Sequence, residues 1–295
     1  MRSVASTGTV EVPKKREPSL TLSFRSTRHL LEWVDDLSPQ QAGTLSIGNE
    51  EHGVLVAIFV EQNRVCWAAA SGLASRLLDL LRKGASEKSD EVRRVVLQAR
   101  TERRPLWARL LASHALSFEA LHEAMRQHTI ESLCVLSGVS LRALWSPRQA
   151  SFCYPFAFRT IDLLVAVSAA ELPDLAALAQ AQLTSMVMEG ETAIALARHE
   201  AGTRIVAFCG ELDSGVGKAM DLAAWVTGMS DLGDALAGHS RAVLLRGRGG
   251  RNLVVLRRGD LLILVHTDDR GVARFLQQRQ HISSSHADLM SGCPL

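Results

Sequence analysis

Four groups of residues in this sequence have side chains and spacings that approach known chemistries. Ser214, Gly215, Val216, Gly217 and Lys218 lie between an apolar run and a long helical pattern. A glycine loop feeding a helix is the setting in which backbone N–H groups cradle a phosphate. That loop needs the spacing G-x-x-x-x-G-K-[ST]. Position 212 is Leu and position 219 is Ala, so the first glycine and the magnesium-binding hydroxyl are both missing. His122, Glu123 and His128 approach a zinc helix, but ligands on one helical face stand four residues apart and these histidines stand six apart. Ser113 with His114, and His239 with Ser240, place a hydroxyl beside an imidazole in sequence only. Chain neighbours do not face each other, and neither pair sits in a nucleophile elbow. Gly247, Arg248, Gly249, Gly250 and Arg251 join two strand-like runs and open no helix, so they read as a hairpin. The expectation is a non-enzymatic protein with no catalytic residues, no cofactor and no metal.

A fifth group is electrostatic. Between Arg82 and Arg109 stand nine basic and four acidic residues. Arg93, Arg94, Arg100, Arg103 and Arg104 are candidate nucleic-acid contacts, because guanidinium groups along a helix can track a phosphate backbone. The competing reading is a solvated helix whose arginines pair with Glu87, Asp90, Glu91 and Glu102.

The bulk composition limits what must position these groups. Of 295 residues, 47% are apolar and only 5% aromatic, so the core is aliphatic. The length suits two domains of ordinary size. A net charge of +2 selects no partner class. Cys66, Cys134, Cys153, Cys209 and Cys293 form no C-x-x-C pair. They read as small hydrophobes in a reducing compartment. Residues 1–19 carry charge but no apolar signal core, and stretches such as Ile161 to Ala170 are too short to span a bilayer. A soluble, cytoplasmic chain without membrane insertion is expected. Residues 1–19 and 283–295 read as flexible tails. Cys293 is third from the end, so the four-residue prenylation pattern fails.

Residues 171–282 read as helix, strand, strand, helix, strand, strand, strand, helix. Leu175, Leu178, Ala179, Leu183, Met186 and Val187 make a helical stripe, ended by Glu189 and a Gly190 cap. Thr192–Arg198 and Thr203–Gly210 are strands about a turn that uses Gly202. Lys218–Ala237 is a long helix. Arg241–Arg246, Arg251–Arg257 and Leu261–His266 are three further strands, the last almost continuously apolar, and Asp268 and Asp269 open a closing helix. This order resembles the roadblock/dynein-light-chain family of small dimeric scaffolds, many of which work beside Ras-like GTPases. The resemblance implies a sheet ordered 2-1-5-4-3 with helices on one side, and a long middle helix that pairs with its copy in a second subunit. Ala224, Trp225, Met229 and Leu232 are then the candidate dimer or partner interface. Covering their own sheet is the competing reading.

The first half begins with a strand at Leu20–Phe24 and a helix carrying Leu30, Leu31, Trp33, Val34 and Leu37, stopped at Ser38 and Pro39. Strands follow at Gly43–Gly48, Gly53–Val60 and Val65–Ala70, with a tight turn at Glu61–Arg64, then a helix over Gly72–Leu81. Residues 83–103 are polar and helix-prone. Pro105–His114, Phe118–His128 and Ile130–Gly138 read as helices, the last two capped by Ser117 and Thr129. Leu141–Trp145 and Ser151–Phe158 read as a hairpin, which after short helices suggests a winged helix. Gly43-Thr-Leu-Ser-Ile47, Gly53-Val-Leu-Val-Ala-Ile-Phe-Val60 and Asn63-Arg-Val-Cys-Trp-Ala68 resemble the PATAN-type domain of bacterial signalling proteins, with Arg64 where that family usually has glycine. The resemblance implies a protein-interaction module.

The combined expectation is an α+β protein of two domains. Residues 20–168 form an antiparallel-strand and helical, winged-helix-like module. Residues 171–282 form a roadblock-like α/β sandwich. The expected partners are a second copy of the chain and a Ras-like small GTPase or other signalling protein. The alternative is a winged-helix transcription regulator that dimerises through its C-terminal domain.

Overall fold

The structure, a computed structural model, describes residues 19–49, 53–102, 106–137, 141–148, 154–199, 202–210, 216–237, 242–246 and 252–275. The chain is mixed α/β with two antiparallel sheets. It opens with β1 (Leu20–Phe24), α1 (Thr27–Asp35) and the meander β2 (Ala42–Asn49), β3 (Gly53–Glu61) and β4 (Arg64–Ala70). Helices α2 (Ala74–Ala85), α3 (Ser89–Glu102), α4 (Leu106–Ala112) and α5 (Phe118–Cys134) follow, then β5 (Leu141–Arg148), α6 (Thr160–Glu171) and α7 (Pro173–Met186). The last third contains β6 (Thr192–His199), β7 (Gly202–Cys209), α8 (Val216–Ala237), β8 (Ala242–Arg246), β9 (Asn252–Arg258) and β10 (Leu261–Thr267), and residues 269–275 are helical. No helix among the described residues is long and apolar enough to cross a membrane.

The first sheet is ordered β1-β5-β2-β3-β4. Alternation builds it: Val56, Ile58 and Val60 of β3 are each 0% exposed, while the residues between them are partly exposed. The buried face meets Leu30, Leu31 and Val34 of α1, a helix that starts where the Ser26 side chain accepts from the His29 N–H. Gly43 has no side chain because a Cβ there would stand 2.5 Å from the Trp145 ring on β5. The β3–β4 turn is the tight one expected. Glu61 pairs with Arg64, and Gln62 and Asn63 both have positive φ, at 53° and 49°. Arg64 is already strand, so the glycine missing from that position is not needed there.

Three expectations for this half are corrected. Leu141–Arg148 does not fold back on residues 154–158; it inserts between β1 and β2, with Leu144 opposite both Thr21 and Ser46. Residues 154–158 contribute a single bridge, Phe158 to Val65. Among the described residues these two segments therefore form no hairpin wing; Ser151–Cys153 of the expected second strand lie outside them. The two helices expected around Thr129 are one helix, α5, and Thr129 is a buried interior residue rather than a cap.

The second sheet is ordered β7-β6-β10-β9-β8, which counted within this half is 2-1-5-4-3. Helices cover both of its faces, not one. The cause is written in β10, where Leu261 to Val265 are all buried. Period-two geometry sends alternate residues to opposite faces, so both faces must be covered. Leu261, Ile263 and Val265 pack with Ala179, Leu183 and Met186 of α7 and with Val272 and Phe275. Leu262 and Leu264 join the other cluster with Ala219, Ala223 and Val226 of α8. Full burial of one leucine such as Leu183 is worth roughly 2–3 kcal/mol. The latter cluster continues into the first sheet through Ile161, Leu164 and Val167 of α6. Residues 165–172, where the two expected domains would meet, span the end of α6 and its junction with α7, where Pro173 begins the new helix. α7 ends at Met186, earlier than expected, and Gly190 (φ 84°) lies in the following turn.

Candidate functional site

The α8 surface is set by the residues that face away from it. Ala219, Ala223 and Val226 are at most 1% exposed and form one stripe against the second sheet. Rotation of the helix is fixed by polar contacts. Thr203 of β7 and Thr227 of α8 share a 3.2 Å hydrogen bond, and Arg198 of β6 pairs with Asp231. Ala224 is consequently exposed, and Trp225 keeps 48% of its surface in water. The side chains of Met229 and Leu232, the other two interface candidates, lie outside the described residues.

The basic stretch is helical as expected. α3 buries Val92, Val95 and Ala99 and turns Arg93 and Arg94 outward. Arg94 lies 3.4 Å from Glu91, the pairing of a solvated helical face. The side chain of Arg100, and Arg103 and Arg104 altogether, lie outside the described residues.

The glycine loop Ser214–Lys218 is described only from Val216, where α8 begins, and Lys218 is exposed. The histidines serve packing. His122 stacks on Phe118 at 6.2 Å and meets Phe156 and Phe158 edge-on or tilted. His114 has φ 52° and its carbonyl accepts from Lys88 Nζ at 2.9 Å. Among the described residues no group of three or more His, Cys, Asp or Glu could hold a metal ion.

The best-built polar arrangement is one that sequence reading missed. β4 is an edge strand, and α5 seals it with side chains. The Ala68 N–H donates to Thr129 Oγ1 and the Ala70 N–H to Ser132 Oγ, each at 3.2 Å. His128 is 2% exposed and lies between Trp67 Nε1, the Ala68 carbonyl and the Leu73 carbonyl. The Phe158 backbone bonds Val65 in both directions, at 3.1 and 2.8 Å. An exposed strand edge is a template for unwanted pairing, and these contacts remove it. The signal was present as three polar residues, His128, Thr129 and Ser132, spaced to share the helix face that carries Leu121, Met125 and Leu133. Beside this seam Arg76 holds Glu131 with two hydrogen bonds of 2.8 Å. That contact, against the cost of burial and with help from Gln127, keeps the Glu131 carboxyl below the usual range.

Burial, with Glu61 nearby, pushes the Cys66 thiol up to about 12. Burial likewise raises the Tyr154 hydroxyl and the Cys134 thiol. These groups are proton-bound and unreactive near neutral pH, so none is an activated nucleophile. Cys66, Cys134 and Cys209 are free thiols. No protein-family model matches the chain, and no curated protein matches it.

Proposed function

We propose that the chain is a non-enzymatic signalling scaffold that dimerises through α8 and binds or regulates a Ras-like small GTPase. Its PATAN-like first half recruits a separate protein. One observation carries the reading: a helix–strand–strand–helix–strand–strand–strand–helix order on a 2-1-5-4-3 sheet, with Trp225 48% exposed on the long middle helix. That order is the one the roadblock resemblance implies. Trp225 is the residue type that anchors protein interfaces, because it removes much apolar area from water at small entropic cost. Met229 and Leu232 follow it at helical spacing.

Light scattering tests the dimer. The chain is 32.1 kDa, and the expected mass is twice that, falling to one chain in Trp225→Glu. A single-chain mass at high protein concentration, or an unchanged dimer in the variant, removes the proposed seam. Pull-down against small GTPases in both nucleotide states tests the partner. Retention in neither state counts against the GTPase role and leaves the dimer standing.

A further inference from the structure

A groove of about 570 Å³ lies where α5, α6, α7 and β7 meet. Its lining includes Ala166, Ala169 and the exposed Ala170 on α6 and Ala176 on α7. Elsewhere α6 fills its surroundings with Ile161, Leu163, Leu164 and Val167, each at most 4% exposed. Along this one line the side chains stop at Cβ while α5 and α7 stay apart, so space remains. Val206 and Phe208 of β7 form an apolar wall.

The polar groups are few, and the two charged ones, Arg126 and Asp162, differ in how firmly they are held. Asp162 is gripped by Arg159 in a two-point contact of 2.9 and 2.8 Å. Gln127 spends one donor on Glu131 at 3.0 Å, and Gln180 stands on the opposite bank. Arg126 reaches Glu123 only at 3.6 Å, and that carboxylate is 64% exposed. A loosely held guanidinium above an apolar floor is complementary to an anion with an apolar body. The volume falls in the range of small-molecule sites, roughly 300–1,000 Å³.

We propose that this groove binds a small amphipathic carboxylate, with an acyl or aryl tail over the alanines and its head on Arg126 and the flanking amides. Because α5 belongs to the first half and α7 and β7 to the second, such a ligand would bridge them.

The test uses the full chain with alanine methyls labelled for NMR, titrated with octanoate and with octylamine. Octanoate is expected to shift the Ala166, Ala169 and Ala170 methyls saturably, and octylamine is not. Arg126→Gln is expected to weaken octanoate roughly fivefold, as loss of an exposed charge-assisted contact would. Ala169→Phe fills the floor and is expected to abolish the shifts at unchanged circular dichroism; should it fail to fold, the surface variant Arg126→Gln decides. Any of four results overturns the proposal: no saturable shift, equal shifts with octylamine, octanoate affinity unaltered by both variants, or the same methyls shifting with protein concentration alone. The last would seat a second copy of the chain in the groove.

Discussion

The Trp67 indole N–H of β4 points at His128 Nδ1 of α5, 3.2 Å away across the edge of the first sheet. When Nδ1 accepts from the indole it cannot also donate to the Ala68 carbonyl, 3.2 Å away, and Nε2–H then donates to the Leu73 carbonyl at 3.1 Å. Replacing His128 by Leu takes this acceptor from the indole N–H and leaves the Leu73 carbonyl with the Leu77 N–H at 3.2 Å. The expected cost is about 2–3 kcal/mol in urea unfolding. His128→Gln, which offers both a donor and an acceptor, should recover part of it. Equal losses in the two variants would show that shape rather than hydrogen bonding sets the site.

The hydroxyls that seal β4 give a local prediction. Thr129→Val and Ser132→Ala each orphan one buried strand N–H, at an expected cost of about 1–2 kcal/mol apiece. Amide hydrogen exchange should quicken at Ala68 in the first variant and at Ala70 in the second. Unchanged protection at both amides would mean that the edge is closed by something other than these hydroxyls.

Glu191 ties the start of β6 to the end of β10 and to the helical residues 269–275. It accepts from Thr267 Oγ1 at 2.5 Å, from the Met188 N–H at 2.8 Å and from Arg274 at 2.7 and 2.8 Å. Burial pushes this carboxyl up, but the hydrogen bonds and the Arg274 charge outweigh it, and it lies below its ordinary value of 4.5. A depressed folded-state value means the contribution is complete above the unfolded value and is lost as pH falls through the folded one. Glu191→Gln should therefore be destabilised by about 2 kcal/mol near neutrality, with the gap to wild type narrowing below about pH 4. Thermal melts across that range decide it; a gap that stays constant with pH would exclude a charge effect.

Gly271 sits against the same cluster. A Cβ there would stand 2.6 Å from Glu191 Oε1 and closer still to Thr267 Oγ1. Gly271→Ala should destabilise although alanine is the better helix former, by upwards of about 1 kcal/mol. A melting temperature at or above wild type would show that the cluster relaxes freely.

Gln62 is a strained residue with a simple remedy. Its φ of 53° costs an ordinary side chain about 1 kcal/mol, and glycine avoids that cost. Gln62→Gly is expected to raise stability by at most about 0.5 kcal/mol in urea unfolding, because the added freedom of the unfolded chain offsets much of the gain. Asn63, whose side chain donates to the Asp35 carbonyl at 3.4 Å, is better left alone.

Local order was legible in the sequence, and the strand order of the second sheet followed from the resemblance, but the long-range pairing of the first sheet was not legible. Ser117 announced its helix by residue type, and its side chain does accept from the Ala120 N–H at 3.1 Å. The tight turn after Glu61 and the strand runs of the last third were equally visible, because turn chemistry and period-two patterns are local. The place of β5 was not, since nothing within Leu141–Arg148 says that its partners lie some hundred residues earlier. Tyr154–Phe158 looked like a strand because aromatic residues favour strands, yet these rings instead join the aromatic cluster around His122, Phe59 and Trp107. Thr129 was mistaken for a cap because the residue type that caps a helix also bonds a neighbouring strand. The α8 surface was half legible: periodicity named Ala224 and Trp225, but only the packing of Ala223 and Val226 decides which side faces water.

The insertion of β5 between β1 and β2 also governs the order of events during synthesis. β1 leaves the ribosome early, yet every ladder bond it makes waits for Leu141–Trp145. Until then β2 presents an open edge while the helices of residues 74–134 can already form locally. The first sheet is thus closed from its middle by its last strand. A nascent chain that has not yet released β5 holds an unfinished sheet, and in that interval the open edge of β2 is exposed to pairing with other chains.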